Sequence, residues 1–163
     1  MTDSLDLSIA RYIDAPPETV YRVWTDRTAD WFAPKPFVTR VHAQELKPGG
    51  RSVIEMEGPD GTKYPHEGVF LEVVPNRKIV ATNLFGADWQ PRKLMTTECD
   101  FAGVNITTFE PEGQGTRYTA TCRHFDVEAV KVHQAMGFEQ GWTMVAAQLA
   151  ELAEAEAHGR QAA

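Results

Sequence analysis

Five large apolar residues near the end of the chain, Phe138, Trp142, Val145, Leu149 and Leu152, recur at alternating steps of four and three. That spacing puts them on one face of a long helix over residues 136–153. Two glycines, Gly137 and Gly141, interrupt the first half of this helix among Met136, Phe138, Trp142 and Met144. Glycine costs about 1 kcal/mol in a helix interior, so each is expected to mark a start, a bend or a close approach to the surface beneath.

From residue 37 to about residue 124 the period shortens to two, the signature of strands. Strands are predicted over 41–46, 51–57, 64–74, 78–85 and 116–124, with one long strand or two over 94–110 broken at Ala102-Gly103. Ser52, Ile54 and Met56 share a face, as do Tyr118, Ala120, Cys122 and His124. Gly58-Pro59-Asp60-Gly61 is a turn with a mechanism, because proline presets one dihedral and Asp-Gly favours tight reversal. Gly68 reads as a bulge or a point of close approach within its strand.

A first strand over 5–13 precedes all of these, with Leu5, Leu7 and Ile9 on one face. Pro16-Pro17-Glu18 then starts a short helix striped by Val20, Val23 and Trp24. A second short helical turn ends at Trp31-Phe32, and Ala33-Pro34-Lys35-Pro36 stops it. Asp126 is placed to cap a helical region at 127–133. A long amphipathic helix after a run of strands must find a sheet to cover. The predicted class is α+β, a curved antiparallel sheet of about seven strands and two short helices after the first strand. One domain over 1–163 is expected, with its core at about 5–155 and a frayed tail.

Composition narrows the function classes. The chain has 163 residues, 42% hydrophobic and 24% charged, with a formal net charge of −7. No basic footprint is present to release counterions, which argues against nucleic-acid or anionic-membrane partners. No apolar run approaches the ~20 residues of a membrane span, and residues 1–13 lack the character of a signal peptide. A cytoplasmic location is expected, with Cys99 and Cys122 as reduced, packed thiols.

At this point the residues resemble a family. The stretch from Gly49 to Pro75, GGRSVIEMEGPDGTKYPHEGVFLEVVP, is similar to the middle of the activator-of-heat-shock-protein-ATPase-like family. Ala15-Pro-Pro-Glu-Thr-Val-Tyr-Arg-Val-Trp24 resembles its first helix, and Gly137-Phe-Glu-Gln-Gly-Trp142 the opening of its C-terminal helix. That family lies in the START-like superfamily, with the birch pollen allergen. The resemblance covers residues 5–155 and implies a helix-grip fold, a sheet wrapped round the C-terminal helix with a cavity between. For the wider superfamily it implies binding of lipids, polyketides and other apolar molecules, with a minority of cyclases or aromatases. The family is named after a co-chaperone whose main chaperone contact is made by a separate N-terminal domain, for which this chain has no room.

The chemistry-bearing residues point the same way. Among His42, His66, His124, His133 and His158 there is no HxxxH or HExxH, and the two-residue step from Cys122 to His124 is too little for a metal site. No metal or cofactor is expected. There is no GxSxG elbow, and the glycine-bearing segments 58–61 and 113–115 lead into strands rather than the helix N-terminus that a phosphate cradle needs. The expected cavity lining is Trp31, Phe32, Met56, His66, Phe70, Phe109, Tyr118, His124, Met136, Phe138 and Trp142. Bulky aromatics with adaptable methionines suit an apolar site. The expected function is therefore non-catalytic binding of a small hydrophobic or aromatic molecule. The alternatives are a cavity enzyme using His124 or His66, and a chaperone-associated stress-response module. Trp89, in the polar loop 86–92, is either an exposed anchor for a partner or a cover for the cavity mouth, and the chain is a monomer or a homodimer.

Overall fold

A computed structural model describes residues 4–93 and 102–159. The predicted strand at 94–101, and Cys99 within it, lie outside the described residues. The elements run β1 (Asp6–Ile13), α1 (Pro17–Asp26), α2 (Thr28–Trp31), β2 (Val38–Gln44), β3 (Arg51–Glu57), β4 (Lys63–Val74), β5 (Lys78–Thr82), β6 (Gly103–Glu112), β7 (Gly115–His124), α3 (Val127–Ala135) and α4 (Phe138–His158). A turn of 3-10 helix, Ala87–Trp89, follows β5.

The strands form one antiparallel, seven-stranded sheet in the order β1-β7-β6-β5-β4-β3-β2. Strands adjacent in sequence pair as hairpins or meanders, except that β1 pairs with β7. Register shifts between Val41 and Ala43, and between Phe70 and Glu72, place bulges that bend the sheet. Gly68 permits a close approach, since a Cβ there would stand 2.2 Å from the Thr82 carbonyl oxygen.

The register shows which side chains share the concave face, because residues opposite one another on paired strands point the same way. One row runs Ile9, Ala120, Thr107, Ile79 and Val73. A neighbouring row joins Cys122, Asn105, Ala81 and Phe70. Phe70 shares its face of β4 with His66 and Tyr64, which oppose Ile54 and Met56. The inward face of β4 is thus the even-numbered one from Tyr64 to Phe70.

Helix α4 packs against α1, β1 and α2. Its apolar stripe reads as expected: Phe138 and Leu149 are buried, and Trp142, Val145 and Leu152 pack against the core. The most tightly enclosed stretch, however, is Ala146, Leu149, Ala150 and Ala153, all within the core with Val20 and Val23 of α1. Small alanines, rather than the two glycines, let α4 approach its neighbours. Gly137 has φ 91° and separates α3 from α4, a conformation that costs glycine nothing. A Cβ on Gly141 would first meet Pro34 at 3.9 Å, an ordinary contact, so the close approach to the sheet expected there is not found.

One side chain locks the helix to the α2–β2 connection. Gln148 Nε2 donates to the Trp31 carbonyl at 2.7 Å and to the Ala33 carbonyl at 2.9 Å, and its Oε1 accepts from the Lys35 amide at 3.1 Å. These bonds hold Ala33 at φ 75°, a strained region for a residue with a side chain. At the other end of α4, Glu154 accepts from the Asp14 amide and Glu156 pairs with Arg22.

Candidate functional site

The residues expected to line one cavity fall into two groups and an outlier. Trp31, Phe70, Phe109 and Tyr118 meet in the buried core, with Tyr21, Trp24, Phe32 and Trp142 partly buried against them. Edge-to-face ring contacts link this group: Phe109 stands 5.5 Å from Tyr21, 6.4 Å from Trp24 and 5.8 Å from Tyr118, and Trp31 stands 5.6 Å from Phe32. Met56 and His66 extend the same concave face along β3 and β4, beside Ile54 and Tyr64, and all four are half-buried. Asn105, on the same face of β6, is exposed. The concave face is therefore closed around Phe109 and opens toward β3.

Two polar groups sit inside the aromatic wall. The Trp24 indole Nε1 is buried without a hydrogen-bond partner. The Tyr118 hydroxyl is raised well above its usual pKa by burial, offset in part by the Trp24 indole. A buried, unpaired donor costs about 1–3 kcal/mol.

His124 and Phe138 belong to a second group at the far end of β7. His124 is buried, and its ring stands 5.0 Å from that of His133, which stands 5.0 Å from Phe138, itself 5.1 Å from Trp142. His124 Nδ1 lies 3.0 Å from the Leu5 carbonyl oxygen and Nε2 lies 2.7 Å from His133 Nδ1. A carbonyl only accepts, so Nδ1–H donates to Leu5. In the neutral pair His133 Nδ1–H then donates to His124 Nε2.

Cys122 joins this pair. One ligand atom from each of Cys122, His124 and His133 lies within 4.8 Å of the others. Chain spacing does not flag the trio, because Cys122 and His124 share a strand face while His133 is folded back over them by α3. Asp126 makes that reversal by capping α3, its Oδ1 accepting from the Ala129 amide at 2.8 Å. Burial, and then the negative charge of Asp6, push the Cys122 thiol up to about 12. Burial, and then the neighbouring His124, bring His133 down to about 4.

The sign of the His133 shift makes a prediction. Its folded-state value lies below the 6.5 of a free histidine, so the unfolded chain takes up the proton first. Stability should be full above about pH 6.5 and fall as pH drops toward 4. His124 is the neighbouring group that adds to this shift. The Asp6 carboxyl, held low mainly by its bond to Arg123, loses its contribution only at more acid pH. Denaturation midpoints at stepped pH should show this decline in the wild type and a flatter profile in His133→Gln.

His66 and His124 lie far apart in the sheet. They sit on strands three positions apart, roughly 14 Å across the sheet at the usual strand spacing. The outlier among the expected lining is Met136, which is 46% exposed at the end of α3 and does not join the interior. Its apolar character belongs to the surface there, beside the left-handed Gly137. Trp89 is half-exposed and folds back onto the β2–β3 turn, where a Cβ on Gly49 would meet its ring at 2.9 Å. Sequence reading did not single out Trp24 or Gln148 for these roles.

A curved antiparallel sheet closed by a C-terminal helix, with two short helices after the first strand and an aromatic-lined concave face, defines a START-like protein of helix-grip fold. Within that class the chain belongs to the Activator of Hsp90 ATPase homolog 1-like family, whose profile matches residues 14–154. A crystal structure of a Nitrosomonas europaea protein is similar over 96% of this chain and 98% of its own, at 32% identity and TM-score 0.83. A Mycobacterium smegmatis protein matches over 94% of each chain at 25% identity and TM-score 0.76. An AHSA1 protein from Silicibacter pomeroyi, covering 90% of this chain and 95% of its own, shares the fold at 18% identity and TM-score 0.67. No curated protein matches. Among the described residues no helix is long and apolar enough to cross a membrane.

Proposed function

We propose that the chain binds a small hydrophobic molecule with an aromatic part on the concave face of the sheet beneath α4, without transforming it. The observation that carries this is the incomplete cover of that face. Buried Phe70, Phe109 and Tyr118 form a wall, while Ile54, Met56, Tyr64 and His66 on the same face are half-buried and Asn105 is exposed. An apolar wall with a few polar groups at one end is the usual form of a small-molecule site. Trp24 Nε1, which makes no hydrogen bond of full geometry within the protein, would suit an oxygen on the ligand.

Binding is favoured over catalysis by the directions of the shifted groups. A nucleophile or general base needs its pKa brought toward neutrality. Burial instead carries the Tyr118 hydroxyl and the Cys122 thiol away from it.

A panel of apolar aromatic compounds screened by thermal unfolding tests the reading. A binder at 100 times its dissociation constant should stabilise the fold by about 2.7 kcal/mol through mass action. Met56→Glu, which places a charge on the half-buried face, should abolish the shift while leaving the unliganded protein folded. If no compound raises the unfolding temperature, or if Met56→Glu leaves the shift intact, the proposed site is wrong.

A further inference from the structure

Away from the aromatic wall, the meeting of Cys122, His124 and His133 carries an inference independent of the apolar ligand. We propose that these three residues form a mononuclear site for a borderline-soft cation of the zinc class, its fourth position filled by water or an exogenous ligand.

The donor set fits such an ion. Thiolate and imidazole together select zinc-class metals over magnesium or calcium, which take oxygen. The strand period puts the Cys122 sulfur and the His124 ring on one face of β7, and α3 carries His133 over both. All three ligand atoms lie within 4.8 Å of one another. Tetrahedral zinc, with bonds near 2.0–2.1 Å to nitrogen and 2.3 Å to sulfur, sets nitrogen pairs roughly 3.3 Å apart and sulfur–nitrogen pairs roughly 3.5 Å apart. The 2.7 Å between His124 Nε2 and His133 Nδ1 must therefore open by a fraction of an ångström, and the sulfur must settle toward them.

The outer contacts are those a metal-binding histidine uses. Such a histidine almost always donates its other ring N–H to a carbonyl or carboxylate, which fixes the tautomer and aims the remaining lone pair. The Leu5 carbonyl does this for His124 and leaves Nε2 pointed at the centre of the trio. His133 offers its Nδ1 lone pair by moving its ring proton from Nδ1 to Nε2, with no net change of charge. The Cys122 thiol gives up its proton to solvent as the metal–sulfur bond forms, so loading releases one proton.

The nearest approach to the cluster is from the β1 side. A cleft of about 500 Å³ lies between β1 and the start of α4, lined in part by Leu7, Gln134 and Phe138. Leu7 pairs with Cys122, Gln134 follows His133, and the Phe138 ring packs on the His133 ring. The cleft is thus a near neighbour of the cluster, although none of the three donors lines it.

The test is a cobalt titration of the full chain, stripped with chelator and kept reduced. One equivalent of Co²⁺ should produce a thiolate-to-cobalt charge-transfer band and the visible bands of a four-coordinate ion, and Zn²⁺ should displace it. Cys122→Ser should remove the charge-transfer band, while Cys99→Ser should leave it unchanged. His124→Gln and His133→Gln should each weaken affinity by at least about 10-fold. X-ray absorption on the wild-type zinc complex, which needs no variant to fold, should read one sulfur and two imidazole donors. The proposal is overturned if no charge-transfer band forms, if the band survives Cys122→Ser, or if absorption shows only oxygen and nitrogen donors.

Discussion

Replacing Phe109 with alanine is expected to cost about 3–5 kcal/mol of stability, the range for removing a large buried aromatic. Phe109 has no exposed surface and lies where three elements converge. Its ring meets Tyr21 and Trp24 of α1 and Tyr118 of β7, each in an edge-to-face arrangement. Such pairs contribute about 0.5–1.5 kcal/mol each beyond the area they bury. The surrounding rings are held by a helix and a sheet, so they cannot collapse far into the space left. Equilibrium urea unfolding should show the loss as a lower midpoint at unchanged slope. A small aromatic compound added to the variant should recover part of it, because an apolar cavity stays dry and accepts such a guest. A loss below about 1 kcal/mol would mean that the ring is not the centre of the core.

The second large effect is expected at Gln148. Its single amide satisfies the Trp31 and Ala33 carbonyls and takes the Lys35 amide proton. Gln148→Ala leaves all three backbone groups to find other partners. At roughly 1 kcal/mol net per bond, the expected loss is about 2–3 kcal/mol. Gln148→Glu is the sharper variant. A carboxylate cannot donate, so it faces two carbonyl oxygens with a negative charge, and it should be at least as destabilising as alanine at neutral pH. Chemical denaturation of the two variants side by side checks this. If Gln148→Glu were as stable as the wild type, the two carbonyl bonds would not be contributing.

Much of the fold was legible before the structure. The predicted strands at 51–57, 64–74 and 116–124 lie within a residue of β3, β4 and β7, and Asp126 caps α3. Alternation and capping depend on residues only a few positions apart, so a local reading reaches them. The resemblance to the family supplied the grip architecture, which the sheet order and the likeness to the Nitrosomonas europaea structure bear out. The site was legible only in part. Tyr118 falls on the buried face, as its alternation suggested, and Phe70 and Phe109 are buried as well, though alternation alone left the inward face of the Phe70 strand open. Met136 follows the same apolar pattern and lies on the surface, because Gly137 turns the chain just after it. Hydrophobicity says that a residue prefers burial, but not whether the chain carries it there.

By itself the sequence determined the order of most elements, which residues share a face of each strand and helix, and the turns between them. Each of these rests on periodicity and on dihedral preferences that act within a few residues. Only the tertiary structure decided which faces meet. It brought His133 to His124 across nine positions, and Gln148 to Trp31 and Ala33 across more than a hundred. Those contacts depend on how helices cross the sheet and on the rotamers that packing selects. No repeat along the chain encodes either, and so the cysteine–histidine cluster and the glutamine clamp emerged only when the sheet closed around its helix.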